Sequence, residues 1–202
     1  LPMFRNGYTP LGELTAINAG KTPAKQAYTS KGVRILKVRD LTNQGVDWEE
    51  GDRAYTLPEV FAKTKKARVQ ENDLLLISAA HLAYYIGKEV DIVFDIPKEF
   101  DNKLLAVGEL LIVRAEKINP YVLLWYMRTK VAYLLIQRLI TGETSHLYAK
   151  DLITLPIPKI LIDFEGAGKV EKLTKEAMNL KRESKELLEQ AKSEIEKIVE
   201  NG

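Results

Sequence analysis

The 202-residue sequence contains no cysteine and only two histidines, His81 and His146. The first absence removes disulfides, thiolate nucleophiles and cysteine-ligated zinc together, and it fits a reducing cytoplasm. The second leaves too few imidazoles for a histidine-rich metal site. No run reaches the roughly 18–20 uncharged apolar residues of a membrane-spanning helix. The richest, YVLLWYMRTKVAYLLIQRLI, carries Arg128, Lys130 and Arg138, so no membrane partner is expected. The opening LPMFRNGYTP has neither a basic stretch nor a small-residue cleavage site, and its abrupt start is that expected of a fragment rather than a secreted precursor.

Catalytic signatures are also missing. Ser145 and His146 are adjacent, and sequence neighbours on a regular element do not face each other, so they make a poor nucleophile–base pair. No G-x-S-x-G elbow or H-E-x-x-H pattern occurs, and GKTP at 20–23 lacks the spacing of a phosphate-binding loop. Neither an Asn-Pro-Pro-Tyr segment nor a glycine-rich cofactor loop is present. These absences predict a protein with no catalytic residues, no metal and no cofactor.

What is present is a core-forming chain, 46% hydrophobic and 29% charged, with a net charge of +2. Residues 1–150 carry 21 Lys/Arg against 17 Asp/Glu, or +4; residues 151–202 carry 9 against 11, or −2. A mildly basic body followed by an acidic tail is compatible with a polyanionic partner without demanding one. Apolar runs at 33–39, 73–78, 91–96 and 104–114 read as strands, separated by turn chemistry at GKTP, NQG (43–45), EEGD (49–52) and Asn72-Asp73. Residues 57–64 read as a short helix. A longer one opens at Asn119-Pro120, with Leu124, Met127, Val131, Leu134 and Leu135 on its packing face and Gly142 at its end. The prolines of LITLPIPKI exclude a helix interior.

Beyond them, residues 168–200 have the Lys/Glu/Leu/Ala composition of a long helix. Val170, Leu173, Ala177, Leu180, Ser184, Leu187 and Ala191 follow 3-4 spacing, and Ile195 and Ile198 continue it after a shift of one residue. So narrow a seam favours a helix–helix pair over an ordinary amphipathic helix lying on its own body. The expected fold class is α+β, a mixed twisted β-sheet body with packed helices over 1–162, then a coiled-coil-type α-helix within 163–202.

Two groups of residues are candidates for binding. One is basic: Lys63, Lys65, Lys66 and Arg68 in KTKKAR, with Arg34, Lys37 and Arg39 near alternate strand positions, suits phosphate contact. Lys21 is a second phosphate candidate, beside Thr22 and Pro23, which shape the turn. The other group is polar and aromatic. In TGETSHLYAKDL, Gly142 lets the chain turn and expose Thr144, Ser145 and His146; in SAAHLAYYIGK, Ser78 and His81 stand with Tyr84 and Tyr85. A purely structural alternative has Thr144 or Ser145 capping a helical turn around 147–152, His146 bonded to a backbone carbonyl and Tyr148 in the core.

Taken in order, GKTP, VRILKVRDL, NDLLLIS, SAAHLAYYIGK, INPYVLLWYMR, GETSHLY, KDLITLPIP and the terminal helix resemble one half of a type I restriction–modification specificity subunit. The likeness is to its target recognition domain with the following conserved-region helix, a unit also found fused behind methyltransferase domains. The resemblance implies a non-catalytic module that binds double-stranded DNA and selects the sequence for an adenine methyltransferase subunit and, in full systems, an ATP-driven restriction subunit. It also implies that the GETSHLY segment, which recurs beside recognition domains of differing specificity, supports the interface more than it reads bases. A complete subunit of that family has two recognition domains and two helices. A chain with one of each is expected to be either a half-subunit that homodimerises through its tail or part of a longer polypeptide. The rival expectation is a coiled-coil protein–protein adaptor with no affinity for DNA, which the near-neutral charge favours.

Overall fold

The computed structural model describes residues 2–48, 53–142 and 145–201. The turn expected at EEGD and the candidate Thr144 lie outside them. The chain forms two compact units, Leu1–Phe164 and Glu165–Gly202.

In the first unit the strands are β1 (Tyr8–Pro10), β2 (Thr15–Ala19), β3 (Tyr28–Thr29), β4 (Val33–Leu36), β5 (Ala54–Thr56), β6 (Leu74–Ile77), β7 (Val90–Ile92), β8 (Leu104–Ala106), β9 (Leu110–Ala115) and β10 (Pro156–Pro158). The helices are α1 (Pro58–Lys63), α2 (Pro120–Met127), α3 (Lys130–Gln137) and α4 (Ala149–Leu152). One antiparallel sheet has the order β2-β9-β6-β7, with Ile17 opposite Val113 and Leu75 opposite Ile112. A second has the order β3-β5-β4-β8, in which only β4 and β8 run parallel. β1 pairs with β10 in a separate two-stranded ribbon.

A core cluster draws Leu75, Ile77, Leu110 and Ile112 from the first sheet together with Ile35, Leu36, Leu104 and Ala106 from the second. The alternate residues Leu74, Leu76, Leu111 and Val113 are buried as well, which is why β6 and β9 read as unbroken apolar runs rather than alternating ones. α2 packs on the first sheet at β7 and β9. It is apolar all round and accordingly buried, apart from the half-exposed Trp125.

Three sequence readings are corrected. The run 104–114 is two strands, because the chain turns at Val107–Glu109 and passes from the second sheet into the first. The helix that opens at Asn119-Pro120 is two helices. The Asn119 side chain caps α2 by accepting from the N–H groups of Tyr121 and Val122, but the chain breaks at Arg128-Thr129, and Thr129 caps a new helix by accepting from the Ala132 N–H. The restart resets the helical phase, so α3 buries Ala132 and Ile136 while Leu134 is exposed, and α3 ends at Gln137, well before Gly142. Arg34 does not belong to a basic surface. It is 1% exposed, and its guanidinium is paired with Asp40 at 3.1 Å and bonded to the Ile35 carbonyl at 2.8 Å.

Two more buried carboxylates are held by arginine. Asp73 takes both Nε and Nη2 of Arg114, at 2.8 and 2.7 Å. Asp91, 0% exposed, takes Arg128 Nη2 at 2.6 Å. Burial pushes both carboxyls above the ordinary aspartate value, while the arginines and neighbouring backbone N–H groups pull them back. The Tyr126 hydroxyl donates to the Pro156 carbonyl at 2.5 Å and is pushed up to about 12 by burial, which ties α2 to β10 as a neutral phenol.

The second unit contains α5 (Ala167–Asn201). At about 1.5 Å per residue its 35 residues span roughly 52 Å. Lys175–Glu171 and Lys192–Glu196 pair one turn apart on its surface. Leu173, Leu180, Leu187, Ile195 and Ile198 of the seam are all exposed, as are Leu188 and Val199 beside it.

Removing one partner of a buried, hydrogen-bonded ion pair strands the other. Asp91→Ala is therefore expected to lower the unfolding free energy by about 3–5 kcal/mol in urea denaturation. A decrease below about 1 kcal/mol would show that the 42–45 turn and the α2–α3 corner hold without it.

Candidate nucleic-acid interface

β2 and β6 end, and β9 begins, at one end of the first sheet, with Ala19 opposite Leu111 and Ile77 opposite Leu110. Several candidate residues gather there. Gly20 follows β2 so closely against the β8–β9 turn that a Cβ would lie 2.0 Å from the Val107 carbonyl oxygen, so only glycine fits. The Lys21 N–H donates to the Ala106 carbonyl at 2.8 Å, and Thr22 Oγ1 accepts from the Gly108 N–H at 3.1 Å. GKTP is thus a clamp on the corner where the chain changes sheets. Thr22 is engaged in it, and Lys21 has an exposed side chain.

Ser78, just past β6, is buried. Its N–H donates to the Glu109 carbonyl and its own carbonyl accepts from the Leu147 N–H, both at 2.8 Å. Ala79 and His146 form a single antiparallel bridge, and Thr141 and His146 form another. The structure therefore joins SAAHLAYYIGK and the described part of TGETSHLY side by side. Ser145 and His146 are half-buried. The His146 ring stacks on Tyr148, with centroids 5.9 Å apart and planes 15° apart, and Lys150 Nζ lies 5.6 Å from the centre of the Tyr148 ring. The structural alternative for this loop fails at two points. Tyr148 is exposed rather than core, and Tyr148, not Ser145, occupies the cap position of α4.

His81 is exposed and precedes a 3-10 turn at Ala83–Tyr85. α3 holds the backbone of this turn. The Tyr133 hydroxyl donates to the Tyr84 carbonyl at 2.9 Å, and Gln137 Nε2 donates to the Ala83 and Ile86 carbonyls at 3.0 and 2.7 Å. Gly87 closes the turn at φ +67° with its N–H on the Ile77 carbonyl; a Cβ there would sit 2.6 Å from Ile136 Cγ2. With its backbone fixed, the turn presents Leu82, Tyr84 and Tyr85, which are 60%, 50% and 43% exposed. The tyrosine rings meet edge to face at 4.7 Å. Lys88 Nζ lies 4.3 Å from one ring centre and 5.6 Å from the other, and it donates to the Tyr84 hydroxyl. That hydrogen bond shifts the Lys88 pKa upward.

The basic hexapeptide lies elsewhere. Residues 65–67 pack beside β2, the edge strand opposite β7. Lys63, Lys65 and Lys66 are exposed. Arg68 is not, because its guanidinium turns back to cap α1, bonding the Phe61 carbonyl at 3.1 and 2.9 Å with the Phe61 ring beneath it at 4.2 Å. Sequence reasoning missed Leu82, Lys88 and Lys150. The two lysines had a legible signal, a cation two to four residues after an aromatic on a turn. Leu82 had none, since nothing local distinguishes an exposed leucine from a core one.

Among the described residues, no group of His, Asp or Glu is placed to hold a metal ion, and no helix is long and apolar enough to cross a membrane.

No protein-family model matches the chain, and no curated protein matches its sequence. Solved structures do match. A chain from a structure of complex assembly and conformational transition in a type I restriction–modification system is 16% identical with a TM-score of 0.55, over 92% of this chain and 42% of that one. The HsdS subunit from Thermoanaerobacter tengcongensis is 16% identical with a TM-score of 0.54, over 87% and 38%. The S subunit of a type I system from M. genitalium is 14% identical with a TM-score of 0.50, over 83% and 37%. Spanning about two fifths of the length of these structures, the chain has the α+β fold of type I restriction–modification S subunits.

Proposed function

We propose that the chain is a non-catalytic, cytoplasmic specificity module that binds double-stranded DNA and directs an adenine methyltransferase subunit and, in full type I systems, a restriction subunit to a target sequence. A type II enzyme with a fused methyltransferase would use the same module. Residues 1–162 act as the target recognition domain and residues 163–202 as the conserved-region helix. The observation that carries this reading is the convergence, at one end of the first sheet, of the two polar–aromatic segments bridged at Ala79 and His146. Their exposed rings are accompanied by Lys88 and Lys150, a combination suited to base edges flanked by phosphates. The exposed seam of α5 supports a second helix as partner, from another copy or another half-subunit. Two-fold pairing would carry two recognition domains, matching a split target.

The adaptor reading shares the helix but not the DNA. A titration of the full chain with random-sequence duplex at low salt separates them, since saturable binding is expected here and none from an adaptor. In the same assay, Lys65→Ala/Lys66→Ala is expected to weaken binding to all sequences alike and to flatten the salt slope by up to about one unit for each phosphate no longer neutralised. An unchanged slope would confine the interface to the sheet end.

Selection from a randomised duplex pool tests the division of labour within the site. His146→Ala is expected to lower affinity and keep the consensus, whereas His81→Ala, Tyr84→Ala or Tyr85→Ala alters it. The opposite pattern would reverse the two assignments. Thr144 is assigned the same supporting role as His146.

For the helix, Leu173→Asp/Leu180→Asp/Leu187→Asp is expected to convert a dimer into a folded monomer in analytical ultracentrifugation. A wild-type chain already monomeric at high concentration would remove self-pairing.

A further inference from the structure

The leucine on the pinned turn presents most of its side chain to solvent. Leu82 precedes the 3-10 turn, its carbonyl accepts from the Tyr85 N–H at 3.1 Å, and its side chain is 60% exposed beside two half-exposed tyrosines. Large apolar side chains clustered on a surface mark a contact. Here the backbone beneath them is held by Tyr133, Gln137 and the Gly87 N–H, so little ordering remains when a partner arrives. The chemistry of the cluster narrows that partner. Leu82 offers no donor or acceptor, and the Tyr84 hydroxyl is already bonded by Lys88. The Tyr84 hydroxyl keeps its own O–H to donate, but Leu82 cannot match the hydrogen-bond code of a base pair.

On the assumption that the chain binds DNA as proposed above, the one apolar group on a base edge in either groove is the thymine C5-methyl. We infer that Leu82, walled by Tyr84 and Tyr85, is a specificity-determining residue that reads a thymine methyl in the major groove. Lys88, above both rings, meets the flanking phosphate. Charge complementarity favours duplex DNA as the occupant over an apolar protein surface, because a lysine ammonium lies 4.3 and 5.6 Å from the two ring centres at the patch itself. The segment that carries the patch is also joined, by the Ala79–His146 bridge, to the segment that carries the Tyr148–Lys150 pair.

Uracil lacks only this methyl, which makes it the probe. The full chain is first used to select a consensus duplex from a randomised pool, and each thymine of that duplex is then replaced singly by uracil. Loss of one buried methyl is expected to weaken wild-type binding by about fourfold at one position, and Leu82→Ala is expected to bind the thymine and uracil duplexes equally. Leu82→Met, which keeps an apolar side chain, is expected to retain the discrimination. Circular dichroism and thermal melting should be unchanged in both variants, because the side chain is largely in solvent. Equal wild-type affinity for thymine and uracil at every position, or undiminished discrimination by Leu82→Ala, overturns the inference while leaving DNA binding standing. A consensus without any A·T pair does the same. If Leu82→Ala leaves both affinity and consensus unaltered, the patch serves a protein partner instead. Failure of the wild-type chain to retain any duplex overturns the DNA reading and this inference with it.

Discussion

A single carboxylate fixes the frame on which the candidate site is built. Asp91, on β7, accepts from the N–H groups of Thr42, Asn43 and Gly45 at 2.6, 2.7 and 2.9 Å and from Arg128 Nη2 at 2.6 Å. Arg128 also donates through Nε to the Val90 carbonyl at 2.8 Å. One residue therefore ties together an edge strand, a turn some 50 positions earlier and the corner between α2 and α3. A buried ion pair contributes little when set against a well-packed apolar replacement, because desolvation offsets most of the attraction. Its use here is geometric. The corner at Arg128 sets the direction of α3, and α3 supplies Tyr133 and Gln137, the side chains that pin the 83–86 backbone.

The same logic governs the other side of the site. Gly20, Lys21 and Thr22 clamp the turn at which the chain leaves the second sheet for the first, and that turn presents the Glu109 carbonyl to the Ser78 N–H. Ser78 in turn accepts from Leu147. The loop beyond α3 is thus positioned by backbone hydrogen bonds to a rigid sheet end. Function carried on loops of this kind needs such a scaffold, because an unanchored loop would lose ordering entropy on every binding event. Residues that look like contacts in the sequence divide accordingly: Thr22, Ser78 and Arg68 hold the frame, while Lys21, His81, Tyr84 and Tyr85 are presented by it.

Legibility in the sequence followed the range of the interactions. The unbroken apolar runs of β6 and β9 identified strands because both faces are buried, and Asn119-Pro120 identified a helix start because capping is local. The terminal helix was evident from composition. The break at Arg128-Thr129 was hidden, since Arg, Thr and Lys all tolerate a helix interior; its one local mark is the Thr129 cap, and the partner of Arg128 at the corner, Asp91, lies 37 residues away. Arg34 misled for a related reason. Charge at alternate strand positions normally faces solvent, but Asp40, six residues on, follows it into the interior. The bridge from Ala79 to His146 spans 67 positions, and no local pattern signals it, although each of the two segments it joins stands out by itself for its Ser–His content.

Charge sets the remaining constraint. The net charge is only +2, so on the proposed reading the chain as a whole is not a polycation held to DNA by bulk charge. The exposed lysines near the candidate segments, Lys21, Lys88 and Lys150, with Lys63, Lys65 and Lys66 beside β2, are the phosphate contacts that the proposed reading assigns. On that reading fitted contacts would supply the discrimination, about 1–3 kcal/mol per base pair. Joining two modules through paired helices makes the second binding event intramolecular, so that half-sites too weak to hold one module alone can hold the pair. On the proposed reading the exposed leucine seam of α5 would supply that pairing, and the gain in effective concentration would reduce the affinity that each body must provide by itself.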